Sequence, residues 1–367
     1  MMENQWNRDC KEFNGIYSCE IMTAEGYKDC SECGFYERIG KKILILKLGA
    51  MGDVVRTTSL LAGLKKKYGR DSHITWVVEE NSKEILYNNP DIDRILPYNP
   101  ETALLLSQEK FDVLLSLEIS PPITLVANII KADEKYGYHL DEDGHPSPFN
   151  ESAVEYLETA FSNKLNKGCR KTYQRMMFEI SELEYNKEDY VLNLEGWESD
   201  YGEKIVTNKN KKVVGINVGS AGRWPSKAWH SSKIIELIRK LRDYNVILLG
   251  GRRETELIKE IEEGLGSVKV MKNDTENSVR EFIGVLNNCD VIITGDSLAL
   301  HLALGLKKNT VALFFCTPDW QVEDYDYLRK VKSPLLEKYF MDDRYIEELV
   351  SSISSNEVLE AVKSFSG

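Results

Sequence analysis

The strongest constraint on the fold is a pattern that occurs twice. Short, almost uninterrupted apolar runs each end in a small or acidic residue and give way to an amphipathic stretch. The first series opens at Lys42 with "KILILKL" and continues through "HITWVVE", "RILPY" and "FDVLLSLE". The second opens with "KKVVGINVGS" and continues through "NVILLGG", "VKVMK", "VIITGDS" and "NTVALFF". A run that is apolar at successive positions belongs to a strand covered on both faces, the situation in parallel sheets flanked by helices. Between the runs, apolar residues return at helical spacing, as Val54, Thr58, Leu61, Leu64 and Tyr68 do after the first. Such alternation predicts an α/β protein of two Rossmann-like, doubly wound domains.

A chain of 367 residues is long enough for two cores and an appendage. The pattern divides it into a Cys-rich segment over 1–36, a first domain over 37–195, a second over 196–350 and a closing helix over 351–367. Open sheets of this class bind ligands beyond the carboxyl ends of their strands, which places the site in the cleft between the domains. A net charge of -12 argues against broad nucleic-acid binding. Runs such as "LKKKYGR" read as solvated helix ends. No apolar run reaches the roughly 20 residues of a membrane span, and "MMENQWNRDC" lacks the pattern of a signal peptide, so a cytoplasmic location is expected. No pattern in the sequence fixes an oligomeric state.

Three strand ends carry the residues for chemistry. In "KLGAMGDVVR", Gly49 and Gly52 allow a tight turn and close approach, Asp53 stands at the start of a helix, and Arg56 follows one turn on. Asp53 reads equally as a helix-capping acid and as a general base; a helix N-terminus lowers a carboxyl pKa, which weakens a base. In "NVGSAGRWPSKAWH", Gly219 and Ser220 end a strand and Arg223 and Lys227 follow, two cations suited to a pyrophosphate or else simply solvated. In "VIITGDSLALHLALGL", Asp296, Ser297 and Leu298 open an apolar helix, and His301 shares a face with Ser297. A fourth strand end, Gly250 and Gly251, is either a ribose contact or a structural turn.

In their order and spacing these segments resemble glycosyltransferase family 9, the ADP-heptose:lipopolysaccharide heptosyltransferases. "ILKLGAMGDVVRTTSLL" is similar to the family's opening strand and Gly-Asp turn. "KAWH" is similar to its Lys-x-Trp-Pro element, with His230 in place of proline. "GDSLALHLALGL" is similar to its Asp-Ser-Gly-x-x-His-Leu-Ala element, with Leu298 in place of glycine. The resemblance implies a GT-B fold and a metal-independent, inverting transfer from a nucleotide-diphosphate sugar, ADP-heptose foremost. Asp53 would then be the general base, Lys227 the cation facing the diphosphate, and Asp296 the acid holding sugar hydroxyls. The backbone N–H groups of Ser297 and Leu298 would face the phosphates. The acceptor would be a glycan, a lipid-linked saccharide or a protein, met by first-domain loops near Arg56 and Ser120, with His139, Asp141 and Asp143 either further contacts or an acidic solvated loop. A lipid-linked acceptor would bring the chain to the inner face of the membrane. A GT-B epimerase and a non-catalytic scaffold or sensor are the competing classes.

Four of the seven cysteines, Cys10, Cys19, Cys30 and Cys33, fall in the first 33 residues with spacing C-x8-C-x10-C-x2-C. Four soft ligands ending in a C-x2-C knuckle predict a structural Zn²⁺ site, or iron or an iron–sulfur cluster, that folds this segment without acting in catalysis. The resemblance implies no cofactor for transfer itself. The basic family pattern lacks this module, so it marks a subgroup.

Overall fold

The computed structural model describes residues 6–13, 15, 17–220, 222 and 224–365. The first domain is built on a six-stranded sheet of order β3-β2-β1-β4-β5-β6. Its strands are β1 (Lys42–Leu46), β2 (His73–Val78), β3 (Arg94–Pro97), β4 (Lys110–Ser116), β5 (Lys131–Leu140) and β6 (Pro146–Pro148). All pair in parallel except β6, which runs antiparallel to β5. The second domain repeats the plan with β7 (Val213–Asn217), β8 (Asn245–Leu249), β9 (Met271–Lys272), β10 (Val291–Gly295), β11 (Asn309–Phe314) and β12 (Leu328–Lys332), in the order β12-β11-β10-β7-β8-β9. Both orders place the first strand of a domain beside its fourth, so that successive connections leave in opposite directions there. Ligands bind at such switch points.

The central strands bear out the continuous apolar reading. In β1, Ile43 to Leu46 are wholly inaccessible, as are Ile74 and Trp76 of β2 and Leu114 and Leu115 of β4. One buried cluster crosses from the first sheet to the second, including Ile45, Val54, Leu86, Tyr190, Ile283, Leu300 and Phe314. Helix Leu298–Gly305 forms that seam by packing on helix Met51–Thr57. With Leu300 and Leu302 fully buried, each contributes about 1.5–3 kcal/mol, so the domains meet over a shared core.

The single helix expected after β1 is two. Met51–Thr57 ends where the Thr58 hydroxyl donates to the Val55 carbonyl (2.5 Å) and the Ser59 hydroxyl to the Arg56 carbonyl (2.9 Å), and Leu60–Tyr68 restarts the chain's winding. Hydroxyls that bond back to the preceding turn compete with the helical ladder. The closing helix, Ser355–Lys363, buries Val358 and Val362 on the second domain. Its N-terminus is fixed by a capping box between Ser354 and Glu357. At the other end of the chain, Cys10 bridges Arg38, and Gly40 N–H donates to the Asp71 carbonyl (2.9 Å), which ties the Cys-rich segment to the first domain. Among the described residues no helix is long and apolar enough to cross a membrane.

Candidate active site

Asp53 lies in the first turn of Met51–Thr57, just past the carboxyl end of β1. Its side chain does not cap the helix. Arg56 donates to Asp53 Oδ1 through Nε (3.0 Å) and Nη2 (2.6 Å), and the guanidinium stacks 3.7 Å from the centre of the Tyr173 ring. Behind it, the buried Lys47 ammonium, 4% exposed, is 2.9 Å from Glu118 Oε1 and 3.9 Å from Asp53 Oδ2. Glu118, at the end of β4, also accepts from the N–H groups of Leu48 and Gly49 (3.0 and 3.3 Å). The switch point of the first sheet is thus a row of alternating charge: Glu118, Lys47, Asp53, Arg56. Burial alone would raise the Asp53 carboxyl, but Arg56 and Lys47 outweigh it and hold the pKa below the ordinary value. Burial would likewise strip the proton from Lys47, yet the surrounding field, with Asp53 and Glu118 in it, keeps it firmly charged.

The second domain supplies the facing group. The short helical turn Pro225–Lys227 crosses the end of β10 so closely that a Cβ on Gly295 would stand 2.1 Å from the Lys227 carbonyl oxygen. Only glycine permits that approach, and it sets Lys227 Nζ 2.8 Å from Asp296 Oδ2. Lys227 and His301 hold Asp296 ionised far below the usual carboxylate range against the opposing effect of burial. Ser297 is the N-cap of Leu298–Gly305, and its hydroxyl meets Thr294 Oγ1 (3.0 Å) and Asn217 Nδ2 (3.3 Å), so β7, β10 and the helix are tied together. Leu298 is half-buried against the shared core.

His301 joins the halves. It is buried, with Nε2 3.8 Å from Asp296 Oδ1, and a Cβ on Gly52 would lie 2.7 Å from its Cδ2. Gly52 is therefore required by a side chain of the other domain. Burial, reinforced by Arg56, pushes His301 down to about 4, so the imidazole is neutral at pH 7. Arg56 in turn lies in the field of Asp296 as well as that of its direct partner Asp53.

The other expected residues divide. Gly49 N–H is bound by Glu118, as above. Gly219 stands against Glu254, whose Cγ would be 2.1 Å from an added Cβ, and Ser220 Oγ donates to the Trp224 carbonyl (2.8 Å). Gly250 is bonded at both N–H and carbonyl by Asn273 (2.9 Å each), and Gly251 N–H donates to Glu254 (3.0 Å), so that turn is braced by its own domain. Arg223 lies outside the described residues. Ser120 N-caps Pro121–Ile129 by position without a side-chain bond. Asp141 accepts from the N–H groups of Asp143 and His145 and so closes its own turn, while the His139 ring lies 4.7 Å from that of Phe149. The four N-terminal cysteines are unpaired and line one small cavity with Phe13, Met22 and Phe35. Among the described residues no group of three or more His, Cys, Asp or Glu is arranged to hold a metal ion. The spacing predicts a cluster tighter than the one seen; among the described residues of the segment the regular elements are the helix Glu20–Glu25 and the bridge at Cys10.

Lys47, Glu118, Tyr173 and Tyr190 are absent from the sequence expectations. Two had a signal: a lysine inside the apolar run "KILILKL" and an acid closing "FDVLLSLE" are charges at the ends of buried strands.

Comparison with known proteins identifies the family. The sequence profile of glycosyltransferase family 9 (heptosyltransferase) matches residues 103–332. Lipopolysaccharide heptosyltransferase 1 of Campylobacter coli is 26% identical over 348 residues, 89% of this chain and 99% of that protein. A family 9 glycosyltransferase of Veillonella parvula superposes with a TM-score of 0.72 at 18% identity, over 90% of this chain and 98% of that one. ADP-heptose lipopolysaccharide heptosyltransferase II of E. coli gives 0.64 at 19% identity, over 88% and 98%. With the profile covering more than half of its length, the chain belongs to glycosyltransferase family 9, the heptosyltransferases, and is a glycosyltransferase.

Proposed function

We propose that the protein is an inverting, metal-independent heptosyltransferase that moves heptose from ADP-heptose to a hydroxyl of a lipopolysaccharide-type glycan acceptor, with Asp53 as general base. The observation that carries this reading is that His301 joins the two strand ends: its Nε2 is 3.8 Å from Asp296 Oδ1, of the Lys227–Asp296 pair, and its ring packs on Gly52, the residue before Asp53. The relatives' names supply the donor and the acceptor class.

In this reading the second domain takes the nucleotide-sugar. Lys227 and the N–H groups of Ser297 and Leu298, at the start of Leu298–Gly305, face the diphosphate, and Asp296 accepts from sugar hydroxyls. Gly219, Ser220, Gly250 and Gly251 border the nucleotide in this reading. The acceptor approaches over the first domain, and its hydroxyl oxygen attacks the anomeric carbon from the face opposite the diphosphate. Asp53 receives the proton as the new bond forms and the old C–O bond breaks. A carboxylate held at lowered pKa is a weak base, which suits a step in which the sugar is already oxocarbenium-like and the attacking hydroxyl has become acidic. Stabilisation of the departing diphosphate by fixed cations and dipoles is then the larger contribution.

The boundaries 37–195 and 196–350 serve as the acceptor and donor halves, and a lipid-linked acceptor would hold the chain at the inner face of the membrane. The cysteines Cys10, Cys19, Cys30 and Cys33 serve as ligands of a structural Zn²⁺ or iron. Four free thiols line one cavity but are not gathered as a ligand set among the described residues, so a bound ion would have to draw them together, and it would then brace the segment against the first domain. Elemental analysis of the purified chain checks this: less than about half an equivalent of any transition metal sinks it. The transfer reading is tested by mass spectrometry with ADP-heptose and truncated lipopolysaccharide. Product mass increased by one heptose supports it, and no transfer from ADP-heptose to any such acceptor overturns it.

A further inference from the structure

The charged groups of the cleft are matched to one another, but Tyr190 is not. It lies on the segment that joins the domains, is 4% exposed, and its hydroxyl has no hydrogen-bond partner among the described residues. The segment is pinned to the Asp53 region by the next residue, whose N–H donates to Thr58 Oγ1 (2.8 Å). The Tyr190 ring stands edge-on to His301, 6.1 Å between centres, and edge-on to Tyr325 at 6.4 Å. Arg56 and Tyr173 lie within the field of its hydroxyl. His301 beside it carries a second unpartnered buried atom, Nδ1.

A buried hydroxyl without a partner destabilises the fold. Phenylalanine would make the same ring contacts with His301 and Tyr325 and would avoid that loss, so packing does not explain the oxygen. The two atoms belong to neighbouring rings, 6.1 Å between centres, at the seam of the domain bearing Asp53 and the domain bearing Asp296, where the transferred sugar would sit if those acids act as read above. Buried polar groups left unsatisfied in the free protein are also the ones that discriminate strongly in favour of a ligand able to bond them.

We propose that Tyr190 Oη, with His301 Nδ1, binds hydroxyls of the transferred sugar and so sets the anomeric carbon opposite Asp53. The proposal rests on the transfer reading and adds to it a specificity-determining group from the interdomain segment. Tyr190→Phe separates the two roles of the residue. The expected result is a melting temperature raised by about 2 °C or more, an unchanged Kd for ADP, and a Kd for ADP-heptose and a kcat/KM each worse by about tenfold or more. A variant with ADP-heptose affinity and kcat/KM within about twofold of wild type overturns the assignment, as does equal weakening of ADP and ADP-heptose. Loss confined to the KM of the acceptor also overturns it. Wild-type protein that binds ADP-heptose alongside an indifferent variant sinks this inference alone; wild-type protein that does not bind ADP-heptose sinks the transfer reading with it.

Discussion

Replacing Asp53 by Asn removes a charge and a proton acceptor while keeping the shape. The amide oxygen can still accept from Arg56 at the two present positions, 3.0 and 2.6 Å, and Lys47 keeps Glu118 at 2.9 Å. What is lost is the anion between two buried cations. The fold then loses the Coulombic part of one ion pair; with the Asp53 side chain 31% exposed this is screened to about 1 kcal/mol. In the proposed role, catalysis loses its general base, typically worth 10²- to 10⁴-fold, or about 3–5 kcal/mol of barrier. Stability and activity should therefore part company, with a melting temperature within a few degrees of wild type, an ordinary Kd for ADP, and kcat down by at least about a hundredfold. The pH profile of the wild type follows from the same contacts. Asp53 acts as the carboxylate and its pKa is lowered, so its contribution is present above that value and lost only as pH falls through it. The rate should show no Asp53 limb between about pH 5 and 8. ADP release at saturating ADP-heptose and acceptor, measured beside calorimetric ADP binding, decides the matter: an Asn variant that binds ADP and keeps kcat within tenfold of wild type refutes the assignment.

Other changes test the surroundings. Lys227→Met strands Asp296 as an unpaired buried anion and removes the cation at the diphosphate; ADP affinity and kcat should both fall, kcat by about 10²-fold or more. Gly52→Ala forces a methyl to within 2.7 Å of the His301 ring, and should lower stability by about 1–3 kcal/mol, with His301→Ala restoring it in the double variant; additive losses in a thermal-denaturation cycle would count against the contact. Arg280, buried on helix Val279–Asn287, bonds both oxygens of Glu198 and donates to the carbonyls of Asn193 (2.6 Å) and Glu84 (3.3 Å), joining both domains to the connecting segment. Arg280→Met should cost about 3–5 kcal/mol in urea unfolding, and Arg280→Met with Glu198→Met clearly less.

The sequence revealed what depends on burial on two faces. The central strands of both sheets, β1, β2, β4, β7, β8, β10 and β11, are continuous apolar runs because helices cover them on each side. β5 and β12 were missed for the converse reason. "KADEKYGYHL" and "LRKVK" keep polar residues on their less covered positions, so neither shows a run, and Glu134 and Lys330 remain free to bond Tyr136 and the Val322 carbonyl. The break at Thr58 and Ser59 was hidden because helical periodicity continues across it while the hydroxyls end the ladder. Gly52 was legible as a close approach but not its cause, since His301 comes from 249 positions further along the chain.

The charges of the cleft also bear on what chemistry it can perform. Asp53 and Asp296 are both held below the ordinary carboxyl range by neighbouring cations, and His301 is pushed down to about 4. At neutral pH all three are in their basic forms. Two carboxylates with their pKa values pushed apart would mark an acid–base pair able to protonate a leaving group; here both move the same way. A departing alcohol or amine would find no carboxylic acid or imidazolium at the seam to protonate it. A nucleoside diphosphate needs no proton on leaving, only positive charge, which in the proposed reading comes from Lys227, paired with Asp296 just before the eight-residue helix Leu298–Gly305. Of the reactions open to a glycosyltransferase, the protonation states of this site suit transfer from an activated nucleotide-sugar rather than cleavage or rearrangement of an ordinary glycosidic bond.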